Sequence, residues 1–309
     1  MFRLLFAAAI ALFYHHTAAL GRDLERSMEM DGFHRTYTVF IPDRLQRGPF
    51  PTVIVLHGGL ESGSTIRRQL NMDPVAGREG FVTVYPNGLG RGWNDGRGDR
   101  LRQRGIYGRA GDVAFLKAIV KDLVGEGIAL NSRVFLTGVS NGGMMSLRMG
   151  CEAADLFAGI SPIIASIPAD IVPACAPSRH VPLLLINGMA DPLVPWNGGG
   201  VGFAGRRGRV IPTLETIAFW RRVNGCSAEE KAFALKPAPG DGTGVIGKLY
   251  KDCRSGAPVA LIGIEGGGHR IPGYENRAHP AADWLLGRQN HDFETAVEVW
   301  RFFRTYASR

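Results

Sequence analysis

Ser140 stands at the centre of Gly138-Val139-Ser140-Asn141-Gly142, a serine flanked by small residues. Its hydroxyl is a weak nucleophile until a base removes the proton, and that base must itself be oriented by an acid. Five residues of this kind arise by chance in a chain with 42 glycines among 309 residues, so the surroundings decide. Residues 134–137 are apolar and β-branched, as in a buried strand, and residues 142–149 have the composition of a helix. Ser140 then falls on a strand-to-helix turn. Such a turn needs small neighbours so that strand and helix can approach closely. It also sets the hydroxyl at the positive end of a helix, where developing negative charge is favoured.

An acid and a base follow in the required order. Asp191 comes after the apolar run 183–186 and the turn 187–190, and His269 after the run 261–264 and three glycines. Serine, acid, histidine, each behind a strand, is an order used by nucleophilic hydrolases on open sheets. All three are expected at the C-terminal edge, where such sheets bind ligands. Two N–H donors are needed for an oxyanion. The Asn141 amide is one, and the loop His57-Gly58-Gly59 supplies the other from Gly59, with Leu60 as the alternative. His57 itself reads as a residue holding that loop. Trp93 and Trp196 are candidate aromatic walls for a substrate.

The elements that must position these residues are legible as alternation. Strands are expected at 36–41, 52–57, 81–85, 133–138, 159–164, 182–187 and 259–264, several apolar throughout, as in strands covered on both faces. Helices are expected at 65–77, 112–126, 141–151, 212–223 and 293–306, with Asp112 as an N-cap. The fold class is α/β: one domain with a mostly parallel central sheet and helices on both faces. Two long irregular stretches, 88–111 and 196–210, interrupt it.

Composition narrows the setting. Arg3, the apolar run 4–13 and the small residues Thr17-Ala18-Ala19 read as a signal peptide over 1–19, leaving residues 20–309 as the catalytic domain. Ten apolar residues are too few for a bilayer span, which takes roughly 20. An exported chain, extracellular or periplasmic, is therefore expected. Its four cysteines, Cys151, Cys175, Cys226 and Cys253, have neither zinc nor redox spacing. In an oxidising compartment they read as two disulfides. Three pairings are open, with the local pairs Cys151–Cys175 and Cys226–Cys253 preferred. The net charge of +8 gathers in arginine-rich, glycine-rich stretches without interleaved aromatics, so no nucleic acid partner is expected.

These segments together resemble the secreted polyhydroxybutyrate-depolymerase-like esterases and the feruloyl and acetylxylan esterases of carbohydrate esterase family 1. The resemblance is carried by residues 52–59, Gly92-Trp93-Asn94-Asp95, 112–116, 138–145, Asp191-Pro192-Leu193-Val194-Pro195-Trp196, Phe219-Trp220 with Asn224-Gly225-Cys226, and Gly266-Gly267-Gly268-His269. It implies an α/β-hydrolase fold, no metal or organic cofactor, and ester substrates, small or polymeric. It falls on the same Ser140, Asp191 and His269. The family pattern has tryptophan two positions after its histidine, where this chain has Ile271, and the stretch 96–111 is unusually rich in arginine. Both departures bear on the substrate. Feruloyl, acetyl or other short-chain and aryl esters are one expectation; hydroxyalkanoate oligomers are the alternative. A serine peptidase and a non-catalytic polymer-binding protein are the readings from other classes.

Overall fold

The computed structural model describes residues 21–98, 111–233, 235, 240–274 and 281–306. The expected signal peptide and the arginines at 100, 102, 104 and 109 lie outside the described residues.

The chain forms a ten-stranded sheet. In order of appearance come β1 (Gly21–Met30), β2 (Phe33–Pro42), β3 (Phe50–Leu56), helices α1 (Gly63–Leu70) and α2 (Met72–Glu79), β4 (Val82–Pro86), α3 (Asp112–Gly125), β5 (Ala129–Val139), α4 (Asn141–Glu152), β6 (Gly159–Ile163) and β7 (Leu183–Gly188). A small pair, β8 (Gly199–Gly200) and β9 (Arg209–Val210), stands apart from the main sheet. Then follow α5 (Thr213–Val223), β10 (Lys231–Phe233), β11 (Gly244–Tyr250), β12 (Val259–Glu265), α6 (Ala281–Leu286) and α7 (Thr295–Tyr306). Across the sheet the order is β1-β2-β4-β3-β5-β6-β7-β12-β11-β10. From β4 to β12 the pairings are parallel, and the outer pairs at both ends are antiparallel.

Strand periodicity explains the layering. Successive side chains of a strand point to opposite faces. In β3, Val53 and Val55 join one core while Ile54 and Leu56 join another, and all four are fully buried. In β12, Ala260, Ile262 and Ile264 face the first core, and Val259 and Leu261 a third. The first core is closed by α1, α2 and α7; the opposite face by α3, α4 and α5. Each such aliphatic side chain contributes about 1.5–3 kcal/mol on burial. This is the expected parallel sheet with helices on both faces.

The structure departs from expectation at several points. The single helix over 65–77 is two, because Asn71 adopts the left-handed conformation (φ 51°, ψ 46°) and ends α1. The antiparallel strands β1, β10 and β11 extend the sheet beyond its parallel centre. Asp112 does not cap α3: the N-cap residue is Gly111, and the Asp112 carboxylate is buried, accepting hydrogen bonds from Arg35 (2.6 Å) and the Asn94 amide (2.7 Å). Burial pushes that carboxyl above its ordinary range, against the pull of both donors. Among the described residues, no helix is long and apolar enough to cross a membrane.

The disulfides are Cys151–Cys175 and Cys226–Cys253. The first ties the end of α4 to the turn following β6; the second ties the end of α5 to the segment between β11 and β12.

Candidate active site

Because β5, β7 and β12 run parallel, their C-terminal ends lie at one edge, and three loops leave from there. Ser140 follows β5 directly, Asp191 follows β7, and His269 follows β12. Ser140 Oγ is 3.0 Å from His269 Nε2, and His269 Nδ1 is 2.7 Å from Asp191 Oδ2. The other carboxylate oxygen of Asp191 accepts from the amides of Leu193 (2.7 Å) and Val194 (2.8 Å). With one oxygen held by two backbone donors, the second is fixed toward the imidazole. Asp191 is buried and His269 nearly so, while Ser140 is half-buried at the cleft floor.

The backbone at Ser140 has φ 54° and ψ −114°, a region that side chains with a Cβ rarely occupy. It persists because its surroundings over-determine it. The Ser140 amide donates to Ile163 O (2.9 Å), and its carbonyl accepts from Met144 (2.9 Å) as α4 begins. A Cβ at Gly142 would stand 2.5 Å from the carbonyl oxygens of both Leu56 and His57, and one at Gly138 would stand 2.4 Å from Gly142 O. Only glycine lets α4 press this closely on β3 and β5.

The loop after β3 lies across from this turn. The Gly58 amide is occupied by Glu61 (2.9 Å), and the Leu60 amide by Arg91 O (2.6 Å). Leu60 is thereby removed as an alternative anion donor. Gly59 and Asn141 both line the cleft beside Ser140 and His269. His57 holds the loop from beneath. Its Nδ1–H donates to Gly58 O (2.7 Å), and its Nε2 accepts from the Gly88 amide (2.9 Å). Burial pushes its pKa down to about 4, so the ring is neutral and both nitrogens are committed.

Trp93 and Trp196, expected as substrate walls, are not part of the cleft lining. Trp93 is 1% exposed; its indole N–H donates to His57 O (2.9 Å) and its ring packs on His57 with centroids 4.9 Å apart. Its side chain is a buried support for the loop because its polar atom has a partner only inward. Trp196 packs against the third core beside Gly263. The walls are instead Ile164, Leu193, Phe203, Ile271, Tyr274 and Leu286, around a cleft of about 600 Å³. Among these, Ile271 lies two positions after His269 and is buried.

Sequence reasoning missed a network behind the nucleophile. The Asn141 side chain accepts from the Trp93 amide (2.8 Å) and donates to Trp93 O (3.0 Å) and to Asp95 Oδ2 (2.6 Å). Asp95 is paired with Arg97 at 2.8 Å, both buried. Asp112 supports the same loop through Asn94. The run Gly92-Trp93-Asn94-Asp95 was visible, but nothing local said that its polar groups face Asn141. Among the described residues, no cluster of three or more histidine, cysteine or acidic side chains is placed to hold a metal.

No protein-family model matches the chain. It is similar to NocK of Nocardia uniformis subsp. tsuyamanensis, named for an esterase, with 30% identity over 80% of this chain and 73% of that protein. Feruloyl esterase C of Emericella nidulans is 26% identical over 81% of this chain and 82% of its own length. Feruloyl esterase B of Piromyces equi is 27% identical over 71% of this chain, which spans 39% of that protein. Among solved structures, acetyl xylan esterase from Aspergillus awamori superposes with a TM-score of 0.59 at 16% identity, covering 86% of this chain and 99% of that one, a likeness of fold. The chain thus belongs to the feruloyl-esterase-like family of esterases with the α/β-hydrolase fold.

Proposed function

We propose that this esterase acts through Ser140 as nucleophile, His269 as base and Asp191 as orienting acid. The observation that carries the reading is the unbroken hydrogen-bonded series from Ser140 Oγ through the imidazole to Asp191. His269 takes the Ser140 proton as Oγ attacks the ester carbonyl, and the Gly59 and Asn141 amides hold the oxyanion. The alcohol leaves with the proton from His269, giving an acyl-enzyme. Water then enters, loses a proton to His269 and releases the acid. Asp191 fixes the tautomer with Nδ1–H toward itself and stabilises the imidazolium.

The substrates are feruloyl, acetyl or other short-chain and aryl esters. The apolar walls and the exposed Phe203 support this reading, as do the relatives named feruloyl esterase. We further propose that residues 1–19 are a signal peptide, that residues 20–309 are the catalytic domain and that the enzyme is exported. Two disulfides agree with an oxidising compartment.

The test is 4-nitrophenyl butyrate turnover and fluorophosphonate labelling by the purified protein and by Ser140→Ala. Loss of both in a folded variant is the expected result. Turnover surviving in Ser140→Ala overturns the assignment.

A further inference from the structure

The charges around the cleft are unbalanced. Among the described residues, Arg97, Arg206, Arg207 and Arg270 line it, against one acid, Glu61. Glu61 is already engaged, one oxygen accepting from the Gly58 amide (2.9 Å) and the other from Gln69 (2.8 Å). Arg97 is likewise satisfied by Asp95. Arg206 and Arg207 differ. Both are exposed, and neither guanidinium has an ion-pair or hydrogen-bond partner among the described residues.

Their presentation is built into the backbone. The arm between β8 and β9 turns through glycines with positive φ at Gly202 (84°), Gly205 (63°) and Gly208 (78°). Its root is anchored beside the catalytic loop: the Gly202 amide donates to Leu193 O (2.8 Å), two residues beyond Asp191. Val201 and Val210 are buried with Met144 and Val194 in a small core of their own. The Arg207 amide donates to Val201 O (3.0 Å), and Gly208 lies against the Arg97 side chain. The arm is thus fastened to the floor of the site at both ends, and its two unpaired cations stand on the cleft wall.

We propose that the cleft selects esters carrying a carboxylate, bound by Arg206 and Arg207 while the ester carbonyl lies at Ser140. This rests on the Ser140 reading above and names its substrate class. A guanidinium meets a carboxylate in a two-point fork that orients as well as attracts. A positively lined cleft also raises the local concentration of an anionic substrate. The carboxylate has two chemical sources. It belongs to the acyl half in half-esters of dicarboxylic acids, and to the alcohol half in esters of hydroxy acids or acidic sugars.

The experiment uses matched pairs on the purified protein. 4-Nitrophenyl hydrogen glutarate against its methyl diester tests the acyl side; 4-acetoxybenzoate against methyl 4-acetoxybenzoate tests the alcohol side. In at least one pair, kcat/KM for the carboxylate is expected to exceed the neutral ester by about tenfold, and the ratio to shrink at high ionic strength. In Arg206→Gln/Arg207→Gln the ratio should fall toward one, and in Arg206→Lys/Arg207→Lys it should be partly kept. A ratio taken within one protein does not depend on how much of it is folded. Ratios at or below one in both pairs, with Ser140-dependent turnover of the neutral esters, overturn this inference and leave the esterase mechanism standing. Turnover independent of Ser140 overturns the mechanism instead.

Discussion

Asn141 donates a 2.6 Å hydrogen bond from its side chain to Asp95 Oδ2, while its own main chain opens α4 directly behind Ser140. In the proposed mechanism the same residue offers its backbone amide to the oxyanion, and its side chain is pinned by a loop 46 residues away in sequence.

Asn141→Ala keeps the backbone N–H and removes the pin. Complete loss of an oxyanion donor costs about 10²–10³ in turnover, and a donor left in place but loosened should lose about tenfold. The loss should fall on kcat with KM little changed, measured with 4-nitrophenyl butyrate. A KM effect with kcat intact would show that the side chain serves substrate binding instead.

Asp191→Asn should lower kcat by about 10⁴. An amide at this position can donate toward Nδ1 and so favours the wrong tautomer. Circular dichroism should be unchanged, because the Leu193 and Val194 amides can still reach the remaining oxygen. Activity within tenfold of the parent would remove Asp191 from the mechanism.

His57 makes stability depend on pH in a stated direction. Its folded pKa lies at about 4 and its ordinary value at 6.5, because burial penalises the imidazolium. Between these values the unfolded chain binds the proton and the folded chain does not, so stability falls as pH drops from 6.5 to about 4. The loss from this group levels at about 3 kcal/mol. Urea midpoints across that window should slope less in His57→Gln than in the parent; equal slopes would reject the assignment.

The Cys151–Cys175 bridge closes a loop of 24 residues in sequence separation. Replacing both cysteines by serine should cost about 3 kcal/mol, read as a lower urea midpoint for the oxidised protein. Reduction of the parent opens both bridges and should lower the midpoint at least as far. No shift on either treatment would mean that the bridge adds nothing to the folded state.

What could be read from sequence follows from where signals are local. β3, β7 and β12 carry unbroken apolar runs (53–56, 183–186 and 259–264) because both faces are covered, so their presence was legible, and with them the sheet edge carrying Ser140, Asp191 and His269. β1 was missed because Arg22, Asp23, Glu25 and Arg26 give it the look of a solvated segment; only Leu24, Met28 and Met30 pack partly onto the core. A usable signal was present in Asp31-Gly32, whose positive φ values (51° and 77°) make the tight turn between β1 and β2. The break at Asn71 was hidden because its neighbours keep helical composition. Trp93 was misassigned for a different reason. An indole near a predicted site can face substrate or core, and only the long-range partner His57 O decides which.

The left-handed backbone at Ser140 sets a trap for anyone improving this protein by heat challenge. Strain of this kind stores about 1–3 kcal/mol, and glycine would relax it because glycine has no Cβ to crowd. Ser140→Gly should therefore melt higher than the parent and hydrolyse nothing, so a library sorted on thermal survival alone would enrich inert molecules at this codon. Selection for robustness and selection for turnover pull in opposite directions at one atom, Oγ of residue 140.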